Sequence, residues 1–327
     1  MRLALLLFLL PLPLMAQQPR VVTDIPPVHG LVSQVMQGIA EPYLILDRAG
    51  SAHDLALRPS QASDIAQADL IVWIGEGLSP ALGRSFQSLA PDTPQIELLE
   101  LPETRTLAYR EADDFAKASD SGEHDDHESH DDHGHDTPSD HSDTADSEDA
   151  HDHSHGDIDP HAWLDPENAA LWLSAIAKAL AKHDPNNAAT YLGNAQNAAK
   201  EILQAKTRTL EALRPLQGRP LVVAHDGFQY LETAFGLKVI GAVSDSHDRE
   251  AGPGQLDGLR NLIAETPPVC ILAEPGTQLN RLAAISENEL PPVAEIDPLG
   301  IGIPFGQAHY LTHLDAMSNA LRACLQL

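Results

Sequence analysis

Residues 219–243, RPLVVAHDGFQYLETAFGLKVIGAV, read as strand, loop, helix and strand in immediate succession. LVVA is apolar, His225 follows it directly, and the helix ends before a second apolar run. A strand followed by a crossover helix and another strand predicts a parallel pair with the helix packed on the sheet. Downstream, GQLDGLRNLIAETPPVCILAEPG (254–276) repeats helix then strand, and PPVAEIDPLG (291–300) supplies a short last strand. Tyr310 to Leu325 predicts a closing helix.

Upstream, VVTDIPPVHGLVSQVMQGIAEPYLILD (21–47) carries the same rhythm: strand, Pro-Pro turn, helix-like segment, strand. ASDIAQADLIVWIGEGLSPAL (62–82) brings a helical stretch into the continuous apolar run Leu70–Ile74, the pattern of a strand buried on both faces. QIELLEL (95–101) adds a further strand. In DIDPHAWLDPENAALWLSAIAKALAKHD (157–184), Asp165 and Pro166 open a helix and Glu167 sits in its first turn. From about Asn187 to Leu213 runs a long helical stretch with apolar residues at Leu192, Ala195, Ala199, Ile202, Leu210 and Leu213. At 1.5 Å per residue it spans near 40 Å, long enough to join two lobes. The expected fold is therefore α/β: two (β/α) lobes with parallel sheets joined by one long helix. The expected boundaries are 17–184 for the first lobe, 185–214 for the linking helix and 215–327 for the second lobe.

Residues 1–16 have one positive charge at Arg2, an apolar stretch from Leu3 to about Leu14 and a small Ala16, the pattern of a cleaved secretory signal. The mature chain is expected to be exported. Its two cysteines, Cys270 and Cys324, are expected to form a disulfide, as an even pair does in an oxidising compartment. The net charge of −28 is unevenly placed: residues 120–157 contribute 15 carboxylates without a Lys or Arg, which leaves −13 for the rest. No basic patch supports nucleic-acid binding.

That acidic stretch, within a loop at about 118–157 expected to be disordered, also holds nine histidines: His124, His127, His130, His133, His135, His141, His151, His153 and His155. Imidazole binds Zn, Cu or Ni at neutral pH, and the carboxylates raise the local concentration of any dication, so the segment is expected to serve as an auxiliary, weak metal loop. Elsewhere, three histidines stand beside strand ends or helix starts: His53 after LILD, His161 before the helix opened by Asp165, and His225 after LVVA. In α/β lobes ligands bind outside the carboxyl ends of parallel strands, so these three are expected to converge on one interlobe cleft. His29 and His309 line the cleft or sit at helix ends, His183 terminates a helix and His247 lies in a loop. Trp73, Trp163 and Trp172 are packing residues.

GSAHDLALRPSQASDIAQADLIVWIGEGL (50–78), DPHAWLDPENA (159–169), VVAHDGFQYLETAFGL (222–237), CILAEPG (270–276) and IDPLG (296–300) together resemble the periplasmic zinc-binding proteins of the ZnuA type. These are the solute-binding components of bacterial zinc ABC importers. The resemblance covers nearly the whole mature chain. It implies metal held between the lobes by His53, His161 and His225, with transported Zn2+ as the ligand. Some relatives carry a carboxylate before the first histidine, where this chain has Ala52; in others a carboxylate of the second lobe approaches the metal, and Asp297 occupies that place. The fourth ligand is thus Asp297 or water. Three imidazoles favour Zn over Mn, which prefers more oxygen donors. Asp226 and Glu274 are the expected hydrogen-bond partners of the ligating rings. The implied partners are a membrane permease and its cytoplasmic ATPase, the implied location is the periplasm, and the protein is expected to be a monomer and not an enzyme. Two other functions fit a three-histidine site: a secreted zinc hydrolase and a metal storage or chaperone protein. Against the first, the chain has no His-Glu-x-x-His, Gly-x-Ser-x-Gly or Walker motif.

Overall fold

The computed structural model describes residues 18–48, 50–110, 115, 158–247, 249, 251–283, 285 and 290–325. The expected signal peptide and the histidine-rich loop lie outside the described residues. The first lobe runs β1 (Val21–Thr23), α1 (Pro26–Val35), β2 (Tyr43–Leu44), α2 (Pro59–Ala66), β3 (Leu70–Trp73), α3 (Pro80–Leu89) and β4 (Gln95–Glu97). Two long helices follow, α4 (Pro166–His183) and α5 (Ala188–Leu213). The second lobe comprises β5 (Pro220–His225), α6 (Gln229–Phe235), β6 (Lys238–Ser244), α7 (Pro253–Glu265), β7 (Cys270–Ala273), α8 (Leu279–Ala283), β8 (Val293–Glu295) and α9 (His309–Ala323). All strand pairs are parallel, in the orders β2-β1-β3-β4 and β6-β5-β7-β8. Each sheet therefore reverses its strand order beside its first strand, between β1 and β3 and between β5 and β7.

The apolar runs bury both strand faces, and alternate residues enter different cores. Leu70, Val72 and Ile74 point into one cluster; Ile71 and Trp73 point into another with Ile65 of α2 and Leu82 and Phe86 of α3. In the second sheet Leu221, Val223, Cys270 and Leu272 join the same large cluster as Leu70, while Val222, Ile240 and Ile271 meet Leu259 and Ile263 of α7. The inner faces of both sheets thus share one apolar core, filled between them by α1, α4, α5 and α9. Asp165 caps α4 by accepting the Glu167 N–H at 2.9 Å, with Pro166 at the first helical position.

Three local features differ from the sequence expectation. Pro26 and Pro27 are not a turn but the first residues of α1, where a fixed φ and a missing N–H carry little penalty. On α5 the buried stripe is Tyr191, Ala195, Ala198, Ile202, Ala205, Thr209 and Leu213, a 3.6-residue period that leaves Leu192 and Leu210 exposed. The closing helix α9 reaches beyond its own sheet: besides β8 it packs on α5 and on α1 of the first lobe. The Cys270–Cys324 disulfide, with a Cα–Cα distance of 5.5 Å, fastens its end to β7. Closing a loop of that sequence separation, 54, stabilises by about 4 kcal/mol in the chain-entropy description.

Where α9 meets α1 and the 297–301 turn, three histidines are buried. His29 Nε2 donates to the Pro42 carbonyl (3.1 Å), His309 Nε2 to the Gly300 carbonyl (3.0 Å), and His313 Nε2 to the Asp297 carbonyl (2.8 Å). Burial lowers the pKa of His29 and of His313 to about 4 and that of His309 in the same direction. A histidine held neutral in the fold contributes stability fully above its unfolded value of about 6.5, and that contribution is lost as pH falls toward the folded value. For His313 the loss is on the order of 3 kcal/mol. Denaturant titrations at pH 7 and pH 4 test this: His313→Gln, which keeps a donor for the Asp297 carbonyl, should lose less stability between the two than the parent chain.

Candidate metal centre

His225 is the last residue of β5, at the point where the second sheet reverses its strand order. Register places Glu274, just after β7, beside it, and His225 Nδ1 lies 2.8 Å from Glu274 Oε1. In the first lobe the equivalent crevice holds Asp24 instead. Its carboxylate accepts the N–H groups of Ile25 and Ile74, each at 2.8 Å, and complete burial raises its pKa to about 7. With that position filled, the first lobe contributes its histidine from the loop after β2. His53 stands there, its loop fixed where Ser79 Oγ donates to the Ala52 carbonyl and Ser51 Oγ accepts the His53 N–H.

His161 ends the segment that leads into a 3-10 turn, Ala162–Leu164, ahead of α4. Asp159 Oδ1 accepts its backbone N–H at 2.9 Å and lies 2.7 Å from its Nδ1, while the ring tilts against Trp163. Ring centroids are 5.3 Å apart for His53 and His161, 5.8 Å for His53 and His225, and 5.2 Å for His161 and His225. One potential ligand atom from each lies within 4.8 Å of the others. Among the described residues no other such group of three forms. Ala52, Trp163, Glu274, Pro298 and Leu299 are among the residues that also line the cleft, about 250 Å³ in volume.

A carboxylate at Nδ1 holds the ring proton there and directs the Nε2 lone pair toward a metal. His161 and His225 both have that backing. Among the described residues no carboxylate backs His53, whose ring hydrogen-bonds the Leu78 backbone instead; burial first, and then the neighbouring His161 and His225, push its pKa down to about 3, so its ring is neutral throughout the physiological range. Gly227 makes the convergence possible: a Cβ there would lie 3.0 Å from both His161 Nε2 and His225 Cε1.

The structure does not bring Asp297 into the group of three. Its Oδ1 accepts the N–H groups of Leu299 and Gly300 and its Oδ2 that of Ile301, at 2.8–2.9 Å, so the carboxylate is committed to its own turn. Asp226 is no partner of a ligating ring either. It is 2% exposed and paired with Arg110, which also binds Glu232 at 2.7 Å. Of the remaining histidines, His29 and His309 lie in the α1–α9 contact described above, His183 ends α4, and His247 stacks on Tyr109. Trp73 and Trp172 pack in the cores; Trp163 does so while lining the cleft and donating to the Pro298 carbonyl at 2.8 Å. The sequence reading missed Asp159, Arg110, Gly227 and Tyr230. Only Asp159 left a local signal, a carboxylate two residues before a histidine.

The sequence profile of the family described as "Zinc-uptake complex component A periplasmic" matches residues 21–324. The high-affinity zinc uptake system protein ZnuA of Paracoccus denitrificans is 43% identical over 96% of this chain and 94% of its own length. Its namesake in Brucella abortus is 37% identical over 95% of this chain and 93% of its own. Among solved structures, a ZnuA crystal structure superposes with a TM-score of 0.70 at 17% identity, covering 94% of this chain and 99% of that one. The laminin-binding protein Lbp of Streptococcus pyogenes gives 0.66 at 22% identity, covering 95% and 100%. At such identities the superpositions speak to the fold, and they share its two-lobed α/β architecture. By the profile match and the sequence relatives, this chain belongs to the periplasmic zinc-uptake complex component A family.

Proposed function

We propose that this protein captures Zn2+ in the periplasm and hands it to the membrane permease of an ABC importer driven by a cytoplasmic ATPase, with no chemical turnover of its own. The observation that carries this reading is the convergence of His53, His161 and His225 from three separate chain segments, two of them backed by carboxylates. Three neutral nitrogens suit Zn, and the charges of Asp159 and Glu274 offset that of the dication. Water supplies the fourth position, since the Asp297 oxygens are engaged by backbone N–H groups. Uptake from dilute solution is helped by the histidine-rich segment, which gathers ions weakly and departs from the chain close to His161.

Replacing His53, His161 or His225 by Ala should weaken one-to-one zinc binding by more than about 100-fold, beyond the effect of losing an outer hydrogen-bond partner. Competition with a chromogenic chelator measures this, and unchanged affinity in any one variant removes that residue from the site. Gly227→Ala should cost on the order of 10-fold by pushing the His161 and His225 rings apart; a wild-type titration curve would show that the rings yield freely. Excision of residues 120–157 should keep the tight site and lower the number of weaker ions bound in equilibrium dialysis. Disappearance of the tight site would mean that the segment supplies a ligand.

A further inference from the structure

Residues 104–110 leave the first lobe and run along α4 toward the second. Thr104 Oγ1 accepts from Trp172, Arg105 N–H donates to Asn168, and the chain then reaches α6. There the Tyr230 hydroxyl accepts the Leu107 N–H at 2.9 Å and donates to the Asp159 carbonyl at 2.8 Å. Gln229 Nε2 donates to the Ala108 carbonyl at 2.9 Å and to Asp159 Oδ2 at 3.3 Å. Asp159 N–H in turn donates to the Leu107 carbonyl at 2.8 Å, and Ala108 and Ile158 form an antiparallel bridge. Arg110 closes the arrangement on Asp226 and Glu232. The segment that bears His161 is further held by the second lobe where Trp163 donates to the Pro298 carbonyl and Tyr310 donates to the Trp163 carbonyl at 2.9 Å.

We propose that Tyr230 and Gln229 are positioning residues for zinc: they fix Asp159, and through it the His161 ring, onto the same rigid unit as His225. The site is then divided two to one. His161 precedes the long helix in sequence, yet it is aligned by the helix that begins four residues after His225. Neither Tyr230 nor Gln229 touches the ion; each acts through the carboxylate that sets the orientation and basicity of the ring. This inference rests on the three-histidine reading of the site.

The test uses the full exported chain with zinc, and Co2+ as a spectroscopic stand-in, in Tyr230→Phe, Gln229→Ala and His161→Ala. Zinc loss to excess chelator should be about 10- to 100-fold faster in Tyr230→Phe, with a smaller acceleration in Gln229→Ala. The visible Co2+ bands should shift in both, because the ligand geometry changes, while both apo variants still unfold in one cooperative transition. Gln229 lies at the surface end of the arrangement, so its variant keeps the test valid if loss of the buried hydroxyl impairs folding. Wild-type zinc loss and Co2+ bands in both variants, with tight binding absent from His161→Ala, would overturn the proposal alone. Faster zinc loss with unchanged Co2+ bands would also overturn it, since that pattern reports lowered stability and not a displaced ligand. Tight binding retained in His161→Ala would overturn the three-histidine reading and this proposal with it.

Discussion

The inner faces of the two sheets share a single interior. Val72 from one and Leu272 from the other belong to the same apolar cluster, and α1, α4, α5 and α9 fill the space between them. Everything else depends on that shared core. Opening one lobe away from the other exposes side chains such as Tyr191, Leu314 and Met317, at about 25 cal/mol for each Å² of apolar surface. Large hinge motions are therefore costly, and the cleft is held close to the geometry in which its three histidines already face one another. Rearrangement is left to loops above the sheets, such as the partly exposed one that carries His53.

From that constraint follows an asymmetry in how the lobes use similar topology. Each sheet has a crevice where its strand order reverses. In the second lobe the crevice presents His225 and its carboxylate partner Glu274. In the first it is closed by Asp24, which ties the ends of β1 and β3 through the Ile25 and Ile74 N–H groups. One crevice presents a histidine and the other braces. Such a brace keeps the strand ends beneath the His53 loop in register, whereas the raised pKa of Asp24 shows what its burial costs the charged form.

Much of this was legible in the sequence because the signals are local. The run Leu70–Ile74 announces a doubly buried strand, LVVAH places a histidine at a strand end, and Asp165-Pro166 marks a helix start. The three histidines were legible for the same reason, each with its own nearby strand or helix. What escaped were contacts between residues far apart in the chain. Arg110 meets Asp226 across 116 residues and Leu107 meets Tyr230 across 123, with an acidic segment intervening. No periodicity encodes such pairs. Asp226 is expected beside a ligating ring, but its side chain turns to the partly buried guanidinium of Arg110. For Asp297, expected as an alternative to water in the fourth position, the backbone partners lie within four residues, in a turn that only the folded chain reveals.

The bridge between Ala108 and Ile158 has an evolutionary consequence. Where a chain leaves and re-enters a fold at two hydrogen-bonded points, whatever lies between is an insertion closed at its base. Lengthening it adds closure entropy only logarithmically, about 0.6 kcal/mol for each doubling. Beyond Arg110 and Phe115, which are tied into the packed part of the molecule, residues between these points can then be gained, lost or exchanged with little effect on the packing beneath. The junction is a cassette site, at which histidine-rich sequence can drift in length and composition while the cleft beside it stays under strict geometric control.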